Sequence, residues 1–528
     1  MKNKSFIKNK LKLALFAPAI CFSLMLTSCE KETVELDPFD RLTEASAFTT
    51  PERVELAVAG VYDAAQSGFY AGGAVRGYPF GAAHVEQGDM RGEDMLNLEA
   101  FYAITYGSTY NAASANNVYQ FETLYSVINK ANIVIEGVEK AVKDGLITAE
   151  VGNAYLGEVR MLRALSNHEL LVHFARPYNH TPDASHPGVP IRTIPVNTPA
   201  RVEEASQQGR NTVKEGYTAI LADLDYAEQN LPETRAAGAK ISRATKGAAI
   251  ALKSRVKLHM QDWAGVIAEG DKLISGDEEF TSPIGGYALT ASPNGMWGSA
   301  ASSNTESIFS FMNTSNDNAS VNGSLGQMYN ANTGGRALVA ISPIIWNATF
   351  WPAEDIRREN TVKTARAIFT NKYRDAQTQT DWSPIVRYAE VLLNVAEAES
   401  RLGNSDRALD LLNAVRGRAT DEVYSGLSGD ALTQAIVNER RIEFLGEGIR
   451  WKDIHRLAKE GKFGPAGIPA KVPSSSNHIP QYEAGTGKAV DTSAIPFIPY
   501  EDFRFIWPIP VSEISSNPVL AAQQNPGY

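Results

Sequence analysis

The 528-residue sequence predicts a mostly α-helical body interrupted by one loop-rich region. Three observations predict it. Apolar residues recur at three- and four-residue steps from Pro51 to about Ile274, and again from about Ile385 to Lys459. Between Thr281 and Ser383 this periodicity fades among Gly, Ser, Asn and Thr. Ten of the 26 prolines then fall beyond Gly461, in the last 68 residues. That is too many for helices, because an interior proline removes a hydrogen bond and clashes with the preceding turn.

Each helix carries its own signals. Thr49-Thr50-Pro51-Glu52 supplies a cap residue, a proline in the first turn and an acid at the positive dipole end. Phe121, Leu124, Tyr125, Ile128, Ala131 and Ile135 form an amphipathic stripe. A longer stripe runs through Tyr155, Val159, Leu162, Leu165, Glu169 and Val172, and Pro177 stops it. Tyr217, Ile220, Leu221, Leu224 and Ala227 mark another helix, ending at Leu231-Pro232.

Arg255–Ile267 and Glu399–Leu411 look alike at an offset of 144 residues, each with a leucine (Leu258, Leu402) and an alanine six residues on (Ala264, Ala408). Polar turn residues lie between, with Gly403-Asn404 at the second bend, where a left-handed residue closes a helix. This resembles the helix-turn-helix unit of a tetratricopeptide repeat, in interrupted rather than tandem form. Glu306–Phe311 alternates like a short strand. The proline-rich tail keeps apolar anchors (Phe497, Phe503, Phe505, Trp507), so it is expected to pack as loops on the helical body.

The N-terminus reads as an export signal. Lys2, Lys4, Lys8, Lys10 and Lys12 precede an apolar run from Leu13 to Leu26, then Thr27, Ser28 and Cys29. The run is shorter than the ~20 apolar residues of a spanning helix. Leu26-Thr27-Ser28-Cys29 resembles a bacterial lipobox, which makes Cys29 the lipid-bearing first residue of the mature chain. Cys21 is then removed and no disulfide is possible within the remainder. Loss of five lysines leaves 45 basic against 60 acidic residues, about −15. That balance argues against nucleic-acid partners, which are held by clustered Lys and Arg.

Several segments, spread over the mature chain in one order, carry a family resemblance. They are LTEASAFTTPERVELAVAGVYDA (42–64), FETLYSVINKANIVIEGV (121–138), GEVRMLRALSNHELLVHFARPY (157–178) and RATKGAAIALKSRVKLHMQDW (243–263). RYAEVLLNVAEAESRLGN (387–404), NERRIEFLGEGIRWKDIHRL (438–457) and FIWPIPVSEISSNPVLAAQQNPGY (505–528) complete the set. Together they resemble the SusD/RagB family of Bacteroidetes outer-membrane nutrient-uptake lipoproteins. Cys29-Glu30-Lys31-Glu32 also resembles the acidic signal that sends such lipoproteins to the cell surface.

The resemblance implies four tetratricopeptide-like helix pairs in a right-handed superhelix, with an irregular loop-rich region carrying the ligand site. It implies a lid over a TonB-dependent (SusC-like) outer-membrane transporter, binding glycans or peptides without chemistry of its own. The chain then divides into a signal peptide (1–28), an acylated tether (29–40) and an N-terminal helical part (41–280). A loop-rich ligand-binding insertion (281–383), tetratricopeptide-like helices (384–460) and a loop-rich C-terminal segment (461–528) follow.

Catalytic constellations fail on inspection. His168 and His173 are five apart and diverge by about 140° on a helix, whereas zinc-binding pairs need the four-residue step. They read as a surface and a groove residue. No nucleophile elbow, Walker loop or dinucleotide fingerprint is present, so neither a cofactor nor a metal is expected. Glu86, Asp89, Glu93 and Asp94 read as a solvated acidic loop, and Glu439, Arg440, Arg441 and Glu443 as buried ion pairs fixing helix contacts.

Sugars offer apolar C–H faces to flat rings, and their hydroxyls need planar polar partners. Aromatic side chains on loops are therefore the natural platforms. Two regions fit: 68–111 (Phe69, Tyr70, Arg76, Tyr78, Phe80, Arg91, Asn111) and 287–351 (Tyr287, Trp297, Tyr329, Trp346, Trp351). The stacking candidates are Trp297, Tyr78 and Tyr70, joined by Tyr329 and Trp346, with Arg91 and Asn111 for hydroxyls. Trp507 belongs to the core. The reading is a glycan-binding surface lipoprotein partnered with a transporter; the alternatives are peptide or glycopeptide capture, or a lid with little ligand affinity of its own.

Overall fold

The computed structural model describes residues 44–276, 280–332 and 334–528; the signal peptide, Cys29 and the tether lie outside them. Among the described residues, eleven α-helices have eight or more residues. They are α1 (Pro51–Gln66), α2 (Ala82–Met90), α3 (Ala115–Lys143), α4 (Ala149–Phe174), α5 (Val213–Asn230) and α6 (Lys246–Met260). The rest are α7 (Trp263–Gly270), α8 (Tyr388–Leu402), α9 (Ser405–Arg416), α10 (Gly429–Glu443) and α11 (Arg450–Leu457).

Local chemistry starts these helices where it should. The Thr50 hydroxyl accepts from the Arg53 amide with Pro51 in the first turn, Thr148 caps α4, and Thr212 and Glu215 form a reciprocal capping box on α5. Such caps are worth about 0.5–2 kcal/mol each. The six-residue stripe of α3 is buried throughout, at roughly 1.5–3 kcal/mol for each large apolar side chain. Successive helices pack in chain order: α3 on α4, α4 on α5, α5 on α6, and so on to α9 against α10. This is a tetratricopeptide-like array.

The two similar segments are indeed helix-turn-helix units, but their register differs from the sequence alignment. Left-handed residues close α6 at Gln261 and α8 at Gly403, and Asp262 and Asn404 open the next helices. The equivalence is thus 142 residues, not 144. Ala264 and Ala408 are not counterparts: Ala408 is buried and Ala264 exposed. In the first unit close approach occurs at Gly270, where a Cβ would lie 2.1 Å from the Val395 side chain.

The loop-rich region builds a second core. Strands β1 (Met95–Asn97) and β3 (Val339–Ile341) pair antiparallel, as do β2 (Ser307–Phe311) with β6 (Ser383–Arg387), β4 (Thr361–Lys363) with β5 (Ile368–Thr370), and β7 (Gly467–Ile468) with β8 (Ile498–Pro499). Ile385 belongs to β6 rather than to the helix that follows it. Val85, Met90 and Tyr102 join Trp297, Tyr329, Trp351, Phe369 and Tyr373 in this core. The tail docks as expected through Phe505 and Trp507, which are buried; Phe497 and Phe503 remain exposed and do not anchor it.

A buried charge network ties the second core to the helices. Arg387 bonds Glu306 (2.6 Å), Glu443 (2.7 Å) and Glu447 (2.9 Å). Arg357 bonds Asp355, Glu439 and Glu443, and Arg418 reaches Glu306 and Glu443. The segment 438–457 is therefore scaffold, as its alternating charges suggested: Arg440 and Arg456 meet Asp453, and Arg456 also meets Glu397.

The acidic group at 86–94 is a correction. Glu86 and Asp89 lie in α2, and all four acids are buried. Glu93 takes Arg450 and Asp94 takes Arg441, both at 2.5 Å. Their partners stand some 350 positions away, so local sequence could not reveal them. His168 and His173 are likewise interior rather than surface and groove residues. His168 meets Tyr217 and His259 edge-on, and His173 stacks on Trp507.

Candidate functional site

The exposed aromatic cluster grows from the end of α1. Gln66 anchors the root by donating to the Met312 carbonyl (2.9 Å) and the Asn313 side chain (2.8 Å). The chain then turns at Gly68 with φ +53°, a left-handed conformation that glycine adopts without strain. A Cβ at Gly68 would lie 2.0 Å from the Tyr78 carbonyl oxygen, so only glycine fits. The loop returns through a short turn, with the Tyr70 amide donating to Ala74 (2.8 Å). Its tip, Phe69 to Ala74, projects from the body with Phe69 40% exposed.

Six side chains meet there. Tyr70 packs on Tyr119 of α3 with ring centroids 4.2 Å apart, and Phe69 approaches Tyr119 edge-on at 6.4 Å. The Arg76 guanidinium sits 4.5 Å from the Tyr70 ring and 4.9 Å from the Phe101 ring. Tyr78 lies beneath, nearly parallel to Tyr70 at 6.2 Å, buried and donated to by Gln87. Burial pushes the Tyr78 and Tyr119 hydroxyls above their ordinary range, so both stay neutral donors. A half-exposed patch of rings with one cation is what an apolar sugar face and its hydroxyls would meet.

The other predicted contacts distribute differently. Arg91 is buried with its guanidinium 3.5 Å from the Trp451 ring, donating to the Phe505 carbonyl, and burial lowers its pKa to about 10. It clamps the tail and cannot reach a sugar hydroxyl. Trp297 is buried, its indole N–H held by the Pro293 carbonyl. Tyr329 is fully buried and donates to Asp89 (2.6 Å). With Tyr78, these residues are buried and present no free face to solvent; Trp297 and Tyr329 belong to the second core because 281–383 packs as a body rather than as open loops. Tyr287 and Trp351 are buried too.

Asn111 is exposed but stands at the start of α3, where its side chain accepts from the Ala113 amide. Its hydrogen-bond partners are Ser114, Ala113 and Asn117, none of them in the cluster. Trp346 is half-buried among Trp351, Tyr482 and Arg358. Because β1 and β3 run antiparallel, Phe101 and Trp346 leave that ladder at opposite ends. Tyr70, Tyr78 and Arg76 are thus brought together, and Asn111 and Trp346 are not.

Sequence reasoning missed Tyr119 and Phe101. A signal for Tyr119 existed: it falls on the side of α3 opposite Phe121, Tyr125 and Ile128, and a large ring on a polar helix face calls for an explanation. Among the described residues, no group of three or more His, Cys, Asp or Glu is placed to hold a metal ion, and no helix is long and apolar enough to cross a membrane.

The architecture defines a tetratricopeptide-like helical protein with a second, loop-built core and an aromatic surface cluster where the loop after α1 meets α3. A family model described as the SusD family matches residues 345–528, and one described as starch-binding and associating with the outer membrane matches residues 70–258. Together they take in well over half of the chain, which belongs to the SusD/RagB family. A SusD superfamily protein from Bacteroides fragilis has a similar solved structure, with a TM-score of 0.74 at 28% identity, covering 90% of this chain and 99% of that one. A SusD-like protein of Bacteroides ovatus is 24% identical over 506 residues, 85% of this chain and 82% of the relative. A laminarin-binding SusD-like protein shares the fold, with a TM-score of 0.69 at 20% identity over 91% of this chain and 100% of that one.

Proposed function

We propose that this chain is a cell-surface lipoprotein that captures glycans on the Phe69–Tyr70–Arg76–Tyr119 cluster and passes them to a TonB-dependent outer-membrane transporter. The observation that carries the reading is the group of half-exposed rings held around one guanidinium on a loop whose root is hydrogen-bonded to the body through Gln66. The family's starch-binding and outer-membrane description supports it, as does the fold shared with a laminarin-binding protein. In this reading the cluster binds and orients; no residue in it does covalent chemistry. Cys29 carries the lipid, and residues 30–40 give the body reach from the membrane.

Affinity electrophoresis through gels containing starch, laminarin and other polysaccharides tests it. Retardation in at least one gel, abolished by Tyr70→Ala with Tyr119→Ala, is the expected result. Retention of peptides from a library, with no glycan retarding the protein, would overturn the glycan reading in favour of peptide capture. Co-purification with an outer-membrane transporter from native membranes tests delivery, and a Cys29→Ala form released from the membrane fraction tests the anchor.

A further inference from the structure

A cavity of about 490 Å³ lies where the C-terminal tail crosses the end of α4, sharing no residue with the aromatic cluster. Its walls include Arg176, His180, Ser185, Arg210, Phe503 and Gln523. Elsewhere in this acidic protein, buried arginines such as Arg163, Arg255 and Arg456 pair with carboxylates. Among the described residues, the two arginines here do not, as Arg91 and Arg358 also do not. Arg210 spends its five donors on neutral acceptors, the Gly188, Pro187, Gln523 and Phe174 carbonyls and the Asn525 side chain, at 2.7–3.4 Å, so it offers a ligand its charge rather than a free N–H. Arg176 donates to the Tyr500 and Asp502 carbonyls and keeps further N–H groups open. Burial lowers the pKa of Arg210 to about 10, as expected of a cation without a counterion.

The remaining wall groups describe a ligand. Phe503 is 39% exposed, with Tyr528 edge-on to its ring at 4.9 Å. His180 receives or gives one hydrogen bond through Nδ1 to the Tyr500 hydroxyl (2.7 Å), leaving Nε2 open; burial beside His186 and Arg176 lowers its pKa to about 4, so it is neutral at pH 7. Of the nearby acids, Asp502 is matched by Arg504 (2.7 Å), and Glu501, which lines the cavity, is 75% exposed with Lys459 at 3.9 Å, so its charge is largely screened by solvent. The volume is far above the ~30 Å³ share of one water and falls within the ~300–1,000 Å³ of small-ligand pockets. A carboxylate would meet the guanidinium field, while a sugar ring would lie against Phe503.

We infer that this cavity is a second binding site, for a monosaccharide-sized ligand that carries a carboxylate, of the uronic-acid class. The test is isothermal titration of the folded protein at low salt with D-glucuronate and with D-glucose. Glucuronate is expected to bind at least tenfold more tightly than glucose. Ser185→Asp, which sets a carboxylate on an exposed wall position without touching the core, and Phe503→Ala should each weaken glucuronate at least tenfold. Tyr70→Ala should leave it unchanged. Equal binding of glucose and glucuronate, glucuronate affinity that survives either cavity substitution, or its loss in Tyr70→Ala overturns the assignment.

Discussion

Glu443 is the carboxylate on which the buried charge network converges. It accepts from Arg357, Arg387 and Arg418 at 2.5–2.8 Å, with 2% of its side chain exposed. Those arginines and Lys372 hold its pKa well below the ordinary carboxylate range, against the opposing effect of burial. The network is balanced: Glu306, Asp355, Glu439, Glu443 and Glu447 face Arg357, Arg387, Arg416, Arg418 and Lys372. Glu443→Gln keeps the shape and removes one charge, leaving an uncompensated buried cation. Breaking a buried pair in this way costs about 3–5 kcal/mol, a large part of a typical 5–15 kcal/mol stability. The control is Asp144→Ala at the exposed Lys140–Asp144 pair, which should cost about 0–1 kcal/mol. Urea denaturation followed by circular dichroism reads both. A Glu443→Gln midpoint within 1 kcal/mol of wild type, evaluated at common slope, would refute the claim that this network fastens the second core to the helices.

His84, His168 and His455 have pKa values lowered to about 3 by burial, aided by cations such as Lys452 and Arg91. Unfolded histidine titrates near 6.5, so their contribution is complete above about pH 6.5 and is lost as pH falls toward 3; His168→Gln should flatten that acid-side loss in urea midpoints. Asp89 behaves in the opposite sense: burial raises its pKa to about 7, so its contribution fades as pH rises through 7. Asp89→Asn should therefore compare more favourably with wild type at pH 8 than at pH 5. Gly68→Ala, whose Cβ would collide with the Tyr78 carbonyl, should abolish glycan retardation while the helical circular dichroism stays within 10% of wild type, on the order of what one displaced surface loop permits.

The helical body was legible because its signals are local. Caps at Thr50 and Thr212, the α3 stripe and the glycine closing α8 each lie within a few residues of what they determine. The burial of Glu93 and Asp94 was not legible, since it is decided by Arg450 and Arg441 from another part of the chain. The same holds for Trp297 and Tyr329: a glycine- and asparagine-rich composition suggested open loops, yet short β ladders and Asp89 draw both rings inside. Arg91 and Tyr78 fell inside because α2 forms where a loop was expected. Tyr70, together with Arg76 and Phe69, kept both the chemistry and the exposure that a platform requires, whereas half-buried Trp346 and exposed Asn111 stand away from them.

The proposed function places the glycan on the Tyr70–Tyr119 rings. Isothermal titration of the retarding polysaccharide against wild type and Tyr70→Ala with Tyr119→Ala tests it most directly. Removing two stacking rings should cost about 2–3 kcal/mol, a loss of roughly 30- to 150-fold in affinity at 1.4 kcal/mol per decade, while Trp297→Gln, altering a ring inside the second core, should leave the affinity of the folded protein unchanged. An affinity within threefold of wild type in the Tyr70/Tyr119 variant, with its fold intact, would contradict the account and place the glycan elsewhere.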